Sequence, residues 1–229
     1  MPTPLAAVFD LDGTLVDNMS FHGEAWVRMA RQLGSDATRE QFERTWAGRK
    51  ASEIFPVLLG RAPTAVELER LTEQKEVDYR DLYRPHLAPI PGLVAFLDRL
   101  TARGVRLALA TAAPRGNRDL VLDGLGLRAR FEVVAGTEDV SRGKPSPDLF
   151  LAAARGLGVD PARCLAFEDA VNGVLAAVAA GMTTTGILTA EPAEALRGAG
   201  AAFVTRDYAS LPPGLEALVF GVAAGAGAP

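Results

Sequence analysis

The sequence predicts an α/β fold: a parallel β-sheet covered by helices on both faces, with an all-helical segment inserted after the first strand. Short apolar runs typical of buried strands alternate with amphipathic helical patterns along most of the chain. The stretch from about Asn18 to His86 breaks this alternation, because it contains helical patterns and no good strand. We therefore predict a core domain made of residues 1–17 and 88–229 and a helical domain made of residues 18–87.

Five apolar runs are the predicted strands, and the first of them ends directly at an aspartate. Strands of a parallel sheet are buried on both faces, so continuous apolar runs are expected rather than alternation. Ligands of such sheets bind at the carboxyl ends of the strands, which makes the residues after each run candidates for a site. The runs are Leu5–Phe9, Val105–Ala110, Phe131–Val134, Cys164–Phe167 and Thr184–Leu188.

Apolar stripes at helical spacing predict the helices between these strands. In the core, Ser146 and Pro147 are predicted as the N-cap and the first position of one helix. In the inserted segment, a stripe over Phe21–Leu33 predicts one helix, and a capping box at Thr64–Glu67 predicts another that runs toward Tyr83. Two further core stripes are Leu93, Phe96, Leu97 and Leu100, and Val171, Val174, Leu175 and Val178.

Composition and charge argue against several classes of function. The 229 residues are 48% hydrophobic, which suits a sizeable core, and the net charge of -4 gives no basis for binding nucleic acid or an anionic membrane. The apolar runs are far shorter than the roughly 20 residues of a membrane span. Cys164 is the single cysteine, so an internal disulfide is excluded. No secretory signal pattern opens the sequence, and we expect a soluble, cytoplasmic monomer.

The strongest chemical signal is the segment Asp-Leu-Asp-Gly-Thr at residues 10–14, where the first strand ends. Asp10 could attack phosphorus as a carboxylate nucleophile, and Asp12 could exchange a proton with the leaving oxygen. Gly13 permits a tight turn beside the site, and Thr14 offers a hydroxyl to phosphate oxygens. The alternative is an ordinary polar turn in which the aspartates are satisfied locally.

A second acidic pair, Glu168 and Asp169, follows the predicted strand Cys164–Phe167. Adjacent carboxylates at a buried strand end repel each other and lose hydration, and a hard cation such as Mg²⁺ removes that cost. The pair could instead be an acidic helix start that is stabilised by the helix dipole.

Two further segments complete the set of candidate residues. Lys144 lies in a proline-flanked loop before a helix and could neutralise charge on a transferring phosphate, although it could also be a solvated surface lysine. Thr111 ends the second predicted strand, and with Ala112 and Asn117 it could form a phosphate cradle or only a helix cap. All four segments lie at strand ends, so all four can face one crevice.

These four segments, in this order, resemble the motifs of the haloacid dehalogenase superfamily, and the chain is most similar to its β-phosphoglucomutase-like and sugar-phosphatase group. The resemblance implies a Rossmann-like core with an inserted helical cap domain. It also implies Mg²⁺ as cofactor, held by the Asp10 side chain, the Asp12 carbonyl and Asp169, with Glu168 holding metal-bound water or Lys144. An aspartyl-phosphate on Asp10 is the implied intermediate. The residues that match the motifs are Asp10, Asp12, Thr111, Lys144, Glu168 and Asp169.

The same resemblance directs attention to cationic residues of the helical domain as substrate contacts. His22 and Lys75 resemble residues of the β-phosphoglucomutase cap, where such a histidine would support Asp12. Arg49 and Lys50 fall close to the position of a phosphate-binding arginine of the mutase. That position is occupied here by Ala51, so Arg49 or Lys50 would have to take its place.

The sequence therefore predicts a Mg²⁺-dependent phosphatase of a small phosphorylated metabolite, most simply a sugar phosphate. Asp12 favours phosphate esters, because haloacid dehalogenases proper lack this second aspartate. A β-phosphoglucomutase-type phosphotransferase is the first alternative, but Ala51 and residues 113–115, which replace a Ser-Lys-Asn run, weaken it. A catalytically silent member that binds a phosphorylated ligand or a protein is the second alternative.

Overall fold

A computed structural model of the chain describes residues 4–46 and 50–221, so Arg49 lies outside the described residues. The chain divides into two compact units. One contains the residues up to Asp17 and those from Ala88 onward, and the other is Asn18–Leu87. Among the described residues, the first unit holds every strand and the second is helical.

The strands of the first unit form one parallel sheet with the order β3-β2-β1-β4-β5-β6. The first strand lies at the centre of this sheet. The second and third strands follow on one side of it, and the fourth, fifth and sixth follow on the other side. The direction reverses between β1 and β4, and open α/β sheets bind ligands at such a switch point. The strands are β1 Ala6–Phe9, β2 Arg106–Ala110, β3 Val133–Ala135, β4 Cys164–Glu168, β5 Thr183–Ile187 and β6 Phe203–Thr205.

All five predicted strands are present, with small shifts at their ends. The third begins at Val133 rather than Phe131, because residues 128–130 form a short 3-10 turn that ends against Phe131. The sixth strand, Phe203–Thr205, was not predicted, since three residues are too few for an apolar run to stand out.

Helices connect the strands and cover both faces of the sheet. The predicted helix start at Ser146 is wrong by one position, because the N-cap is Pro147 and the helix begins at Asp148. The Ser146 hydroxyl donates to the Asp148 carboxylate at 2.8 Å instead of accepting a backbone N–H. The helices of the first unit are α5 Leu93–Ala102, α6 Arg115–Gly124, α7 Asp148–Leu157, α8 Val171–Ala179, α9 Ala193–Gly198 and α10 Pro213–Phe220.

The buried face of α8 differs from the predicted apolar stripe. Leu175 and Val178 are exposed at 41% and 39%, while Gly173 and the two alanines at 176 and 177 are buried. Small side chains let a helix approach its neighbours closely, and here that approach outweighs the burial of two larger side chains. The small residues on this face of α8 allow its first turn to pack against the end of β4.

The two faces of the sheet carry different side chains. The face toward α7 and α8 carries small residues such as Ala6, Val8 and Ala166, on which Phe150 packs. The opposite face carries a cluster of aromatic rings, in which Phe9 and Phe167 stack with their centroids 4.5 Å apart. The cluster also contains Phe96, Phe131 and Tyr208.

The second unit has its own apolar core, as expected for an inserted domain. Trp26, Phe42, Ile54 and Leu71 are buried there, so each of the four helices that the structure describes in this unit contributes to this core. The predicted start at Thr64 is confirmed, since its side chain accepts the Glu67 N–H at 3.2 Å. The helices are α1 Met19–Gln32, α2 Arg39–Thr45, α3 Ala51–Leu59 and α4 Ala65–Tyr83.

The predicted fold class, a Rossmann-like parallel α/β core with an all-helical insertion, is confirmed. Within the described ranges, none of the helices combines the length and the apolar character that crossing a membrane requires.

Candidate active site

The carboxyl ends of β1 and β4 bring two of the predicted carboxylates together. The register pairs Phe9 with Phe167 on one side of β1 and with Leu109 on the other. Asp10 and Glu168 follow these paired residues directly, and the Asp10 N–H donates to the Phe167 carbonyl at 3.0 Å. Both carboxylates therefore leave neighbouring strands at the switch point of the sheet.

Lys144 joins these two carboxylates. Its Nζ donates to Asp10 Oδ1 at 2.5 Å and to Glu168 Oε1 at 2.6 Å. The side chains of Lys144, Asp10 and Glu168 are exposed at only 12%, 10% and 1%. The lysine stem runs over the ring of Phe150, with Nζ 5.2 Å from its centroid, and a cis peptide bond to Pro145 follows. The ammonium group is thus a fixed and nearly buried positive charge.

Glu168 is held by hydrogen bonds to both of its oxygens. Oε2 accepts the backbone N–H groups of Asp169 at 2.9 Å and Ala170 at 3.0 Å, while Oε1 accepts from Lys144. Helix α8 approaches so closely that a Cβ atom at Gly173 would lie 1.7 Å from Glu168 Oε1. Only glycine leaves room for the carboxylate in this orientation.

Asp169 and the turn after Asp10 approach each other just as closely. Asp169 is 4% exposed, and a Cβ atom at Gly13 would lie 2.0 Å from its Oδ2. Gly13 also has φ +71, a conformation that side-chain-bearing residues rarely adopt. Asp12, which precedes it, is half-buried, and its backbone pairs with Val16. The turn therefore places Asp12 beside the acidic cluster.

Burial and mutual repulsion raise the proton affinity of these carboxyl groups. Burial, opposed by Lys144 and reinforced by the charges of Glu168 and Asp12, raises the pKa of Asp10 from 3.8 to about 7. Burial and the charges of Glu168 and Asp10 raise the pKa of Asp169 well above its ordinary value. Burial lowers the pKa of Lys144, but the charges of Asp10 and Glu168 outweigh it and raise that pKa overall.

The same three carboxyl groups fit a metal ion. Asp10, Glu168 and Asp169 each offer an oxygen, and these oxygens lie within 4.8 Å of one another. Lys144 compensates only one of the three charges, so an excess of negative charge stays buried when all three groups are ionised. A donor set made only of oxygens suits a hard divalent cation rather than zinc or copper. The residues present could therefore hold such a cation.

Thr111 and its neighbours form a hydrogen-bonded turn at the end of β2. Thr111 is 1% exposed, its Oγ1 accepts the Ala113 N–H at 3.1 Å, and its own N–H donates to the Ala135 carbonyl at 3.0 Å. Ala112 is exposed between them, and Asn117 is fully buried in α6. The strand end thus presents the backbone of Ala112 while the Thr111 hydroxyl supports the turn.

Two hydroxyl groups that sequence reasoning did not find hold the turn at residues 10–14. Thr189 Oγ1 donates to the Gly13 carbonyl at 2.5 Å, and Tyr208 Oη donates to the Thr14 carbonyl at 3.0 Å. Thr14 itself is buried, and its Oγ1 has no hydrogen-bond partner within the described ranges. No sequence signal points to Thr189 or Tyr208, because both lie in loops after strands and match no motif.

The helical unit brings together two of the side chains that were predicted as substrate contacts. Lys75 is 4% exposed, and its Nζ lies 3.0 Å from His22 Nδ1 and 2.9 Å from Glu76 Oε1. The His22 ring stacks on Tyr79 with 3.7 Å between the centroids. An ammonium group can only donate, so this contact is a hydrogen bond in the neutral tautomer that carries its proton on Nε2. Lys50 is exposed at the start of α3.

The fit between Gly173 and Glu168 yields a prediction for stability. Gly173→Ala forces the new methyl group onto the Glu168 carboxylate, and we expect the free energy of unfolding to fall by about 1–3 kcal/mol. Gly198→Ala is the matched control, because it also adds a methyl group to a helical glycine but meets nothing within 4 Å. It should be neutral or stabilising by up to about 1 kcal/mol. Urea unfolding measures both, and equal values for the two variants would contradict the close fit.

Comparisons with known proteins agree with this geometry. A family model for haloacid dehalogenase-like hydrolases matches residues 5–181. A β-phosphoglucomutase of Bacillus subtilis is 32% identical over 194 residues, which cover 82% of this chain and 84% of the relative. A validoxylamine A 7'-phosphate phosphatase of Streptomyces hygroscopicus is 32% identical over 190 residues, which cover 83% and 88%.

A solved structure extends the comparison to the fold. The crystal structure of a family IA hydrolase of this superfamily from Entamoeba histolytica superposes with a TM-score of 0.85 and covers 93% of this chain and 97% of its own. At 24% identity this likeness shows the fold alone. The prediction of an enzyme is confirmed by the family match and the named relatives. The chain belongs to the haloacid dehalogenase-like hydrolases.

Proposed function

We propose that the chain is a Mg²⁺-dependent phosphohydrolase that acts on a small phosphorylated metabolite, most simply a sugar phosphate, through an aspartyl-phosphate on Asp10. The observation that carries this proposal is the contact of 2.5 Å between Lys144 Nζ and Asp10 Oδ1 within a buried acidic cluster. A nucleophilic carboxylate must approach an anionic phosphate, and a fixed ammonium group beside it reduces their repulsion.

The proposed reaction has two displacements at phosphorus. In the first, an Asp10 carboxylate oxygen forms a bond to phosphorus while the ester P–O bond breaks, and Asp12 gives its proton to the leaving alcohol oxygen. In the second, Asp12 takes a proton from a water molecule that attacks phosphorus. The bond to Asp10 then breaks, which releases inorganic phosphate and restores both aspartates.

The residues around Asp10 supply the binding of the phosphoryl group. Lys144 neutralises charge on the phosphoryl oxygens, and the turn after Thr111 offers the backbone N–H of Ala112 to them. We also assign Thr14 and Asn117 to this phosphate-binding region. When bound by Asp10, the Asp12 carbonyl and Asp169, with Glu168 beside them, Mg²⁺ would supply further positive charge to the transferring group. The hydrogen bonds that the Glu168 carboxylate accepts are consistent with a role in positioning Lys144 and the metal-binding region.

We further propose that His22, Arg49, Lys50 and Lys75 of the helical unit recognise the rest of the substrate. The contact between Lys75 and His22 supports this role, because a nearly buried ammonium group is kept for a specific partner rather than for solvation. Phosphorylated sugars offer hydroxyl and phosphate oxygens that suit such donors.

A phosphotransferase of the β-phosphoglucomutase type is the second candidate. The two relatives compared, one a mutase and one a phosphatase, have the same identity to this chain, so overall similarity does not separate the two activities. The turn after Thr111 favours the phosphatase, because Ala113 and Pro114 provide neither the hydroxyl nor the ammonium group of the mutase run. A silent binding protein would not need the intact set of acids and lysine.

The raised pKa of Asp10 predicts how Mg²⁺ binding depends on pH. Between pH 3.8 and about 7 the folded protein binds more protons at Asp10 than the unfolded chain does. The free energy of unfolding of the metal-free protein therefore falls as the pH rises through this range. Protons compete with the metal for the same oxygens. We expect saturating Mg²⁺ to raise the Tm by roughly 5–10 °C at pH 8 and much less at pH 5.

Thermal unfolding with Mg²⁺ or EDTA across this pH range measures the effect. Asp169→Asn is the control variant for the binding site, and its Tm should not respond to Mg²⁺ at pH 8. Equal Mg²⁺ shifts at pH 5 and pH 8, or a full shift in the variant, would show that the ion binds elsewhere.

Removing the nucleophile tests the proposed chemistry. Asp10→Asn keeps the shape of the side chain but lacks the anionic oxygen, and kcat for a phosphate ester should fall on the order of 10⁴-fold or more. Asp17→Asn removes an exposed carboxylate from the same segment and should keep kcat within about 2-fold. Steady-state phosphate release is the measurement, and turnover by Asp10→Asn above a trace would exclude the aspartyl-phosphate route.

Product analysis separates the two candidate activities. We expect phosphorus NMR of the protein with Mg²⁺, β-glucose 1-phosphate and a trace of the 1,6-bisphosphate to show inorganic phosphate as the main product. The physical reason is the altered turn, in which Ala113 and Pro114 provide neither the hydroxyl nor the ammonium group of the mutase run. Glucose 6-phosphate without inorganic phosphate would instead establish the mutase.

A further inference from the structure

The turn that carries Asp12 is held from outside by two hydroxyl groups. Thr189 lies in the turn directly after β5, and Tyr208 lies in the loop after β6. Their hydroxyls donate to the carbonyls of two successive residues, Gly13 and Thr14. The two donors reach the turn from positions 176 and 194 residues away in sequence, so the contacts exist only in the folded protein.

The turn itself offers few means of fixing these carbonyls. Its backbone N–H groups point inward, since Thr14 and Leu15 both donate to the Leu11 carbonyl, at 3.3 and 2.8 Å. Gly13 has no side chain and cannot gain one, because its Cβ position overlaps Asp169. Without external donors, the carbonyl of a fully buried residue such as Thr14 would be left without a hydrogen bond, which is destabilising in a buried position.

Tyr208 is a rigid donor. Its side chain is buried at 3% exposure, and its ring stacks on Phe96 with 5.2 Å between the centroids. Its backbone N–H donates to the Pro91 carbonyl at 2.9 Å. Burial, and then the charges of Asp169 and Asp10, raise the pKa of Tyr208 well above its ordinary value, so the hydroxyl keeps its proton.

We propose that Thr189 and Tyr208 are positioning residues for Asp12. By fixing the carbonyls of Gly13 and Thr14, the two residues after Asp12, they hold Asp12 at the correct distance from Asp10. This inference rests on the proposed function, because Asp12 is the proposed acid for the leaving alcohol. Loss of either hydroxyl lets the turn shift, and a small displacement of a proton donor is costly in rate. The effect should fall on steps that need a proton at the leaving oxygen.

The leaving group gives a readout that a structural role would not move. p-Nitrophenolate leaves without a proton, whereas the alcohol of glucose 6-phosphate needs one. Asp12 also activates water in the second displacement, which both esters share, so the readout is the rate constant of the first displacement, measured by rapid quench in a single turnover. We expect Tyr208→Phe and Thr189→Val to lower this rate constant by about 10- to 100-fold with glucose 6-phosphate and by less than about 3-fold with p-nitrophenyl phosphate. Thr189→Ser keeps the hydroxyl and should restore it to within about 3-fold of the native protein.

Tyr83→Phe is the matched control, since Tyr83 is an equally buried tyrosine in the helical unit. It should leave the ratio of the two rate constants of the first displacement unchanged. A parallel loss of this rate constant on both esters in Tyr208→Phe, or no loss on either, would overturn the positioning role.

Hydrogen exchange tests the positioning even if the native protein hydrolyses neither ester, a result that would count against the proposed function alone. In Tyr208→Phe the Leu15 amide should exchange at least about 10-fold faster, because its turn has lost a support, while the Ala166 amide in β4 keeps its rate. An unchanged Leu15 rate would overturn the inference without reference to activity.

Discussion

The double contact of Lys144 with Asp10 and Glu168 is the interaction on which the rest of the site depends. Burying three carboxyl groups at one edge of a sheet is costly, and one ammonium group offsets only part of that cost. Burial and the remaining negative charge raise the pKa of Asp10 and Asp169, and a bound hard cation would offset that charge.

The strand order converts this electrostatic constraint into a site. Because β1 lies between β2 and β4, residues that are distant in sequence emerge at one edge of the sheet. The prediction that the four segments share one crevice rests on the parallel strand pattern alone. The apolar runs and the two acidic pairs could therefore be read from sequence, because strand ends and carboxylates are local features. The helical insertion was readable for the same reason, as a long stretch with no strand-like run.

Features that depend on close packing could not be predicted. The buried face of α8 follows from the approach of Gly173 to Glu168, so Leu175 and Val178 are exposed although their spacing predicts burial. The hydroxyls of Thr189 and Tyr208 reach the turn after Asp10 through tertiary structure only. A strand of three residues such as β6 leaves no pattern at all, yet it carries the loop that supports the turn.

In the proposed reaction the phosphoryl group of the substrate is bonded covalently to Asp10 before water releases it. The most direct test mixes the protein with Mg²⁺ and p-nitrophenyl phosphate, stops the reaction in acid within milliseconds, and maps phosphorylated peptides by mass spectrometry. We expect one phosphoryl group on the peptide that contains Asp10, at a level that rises and falls with turnover. Phosphorylation of a different residue, or turnover with no phosphorylated peptide at any time, would contradict it.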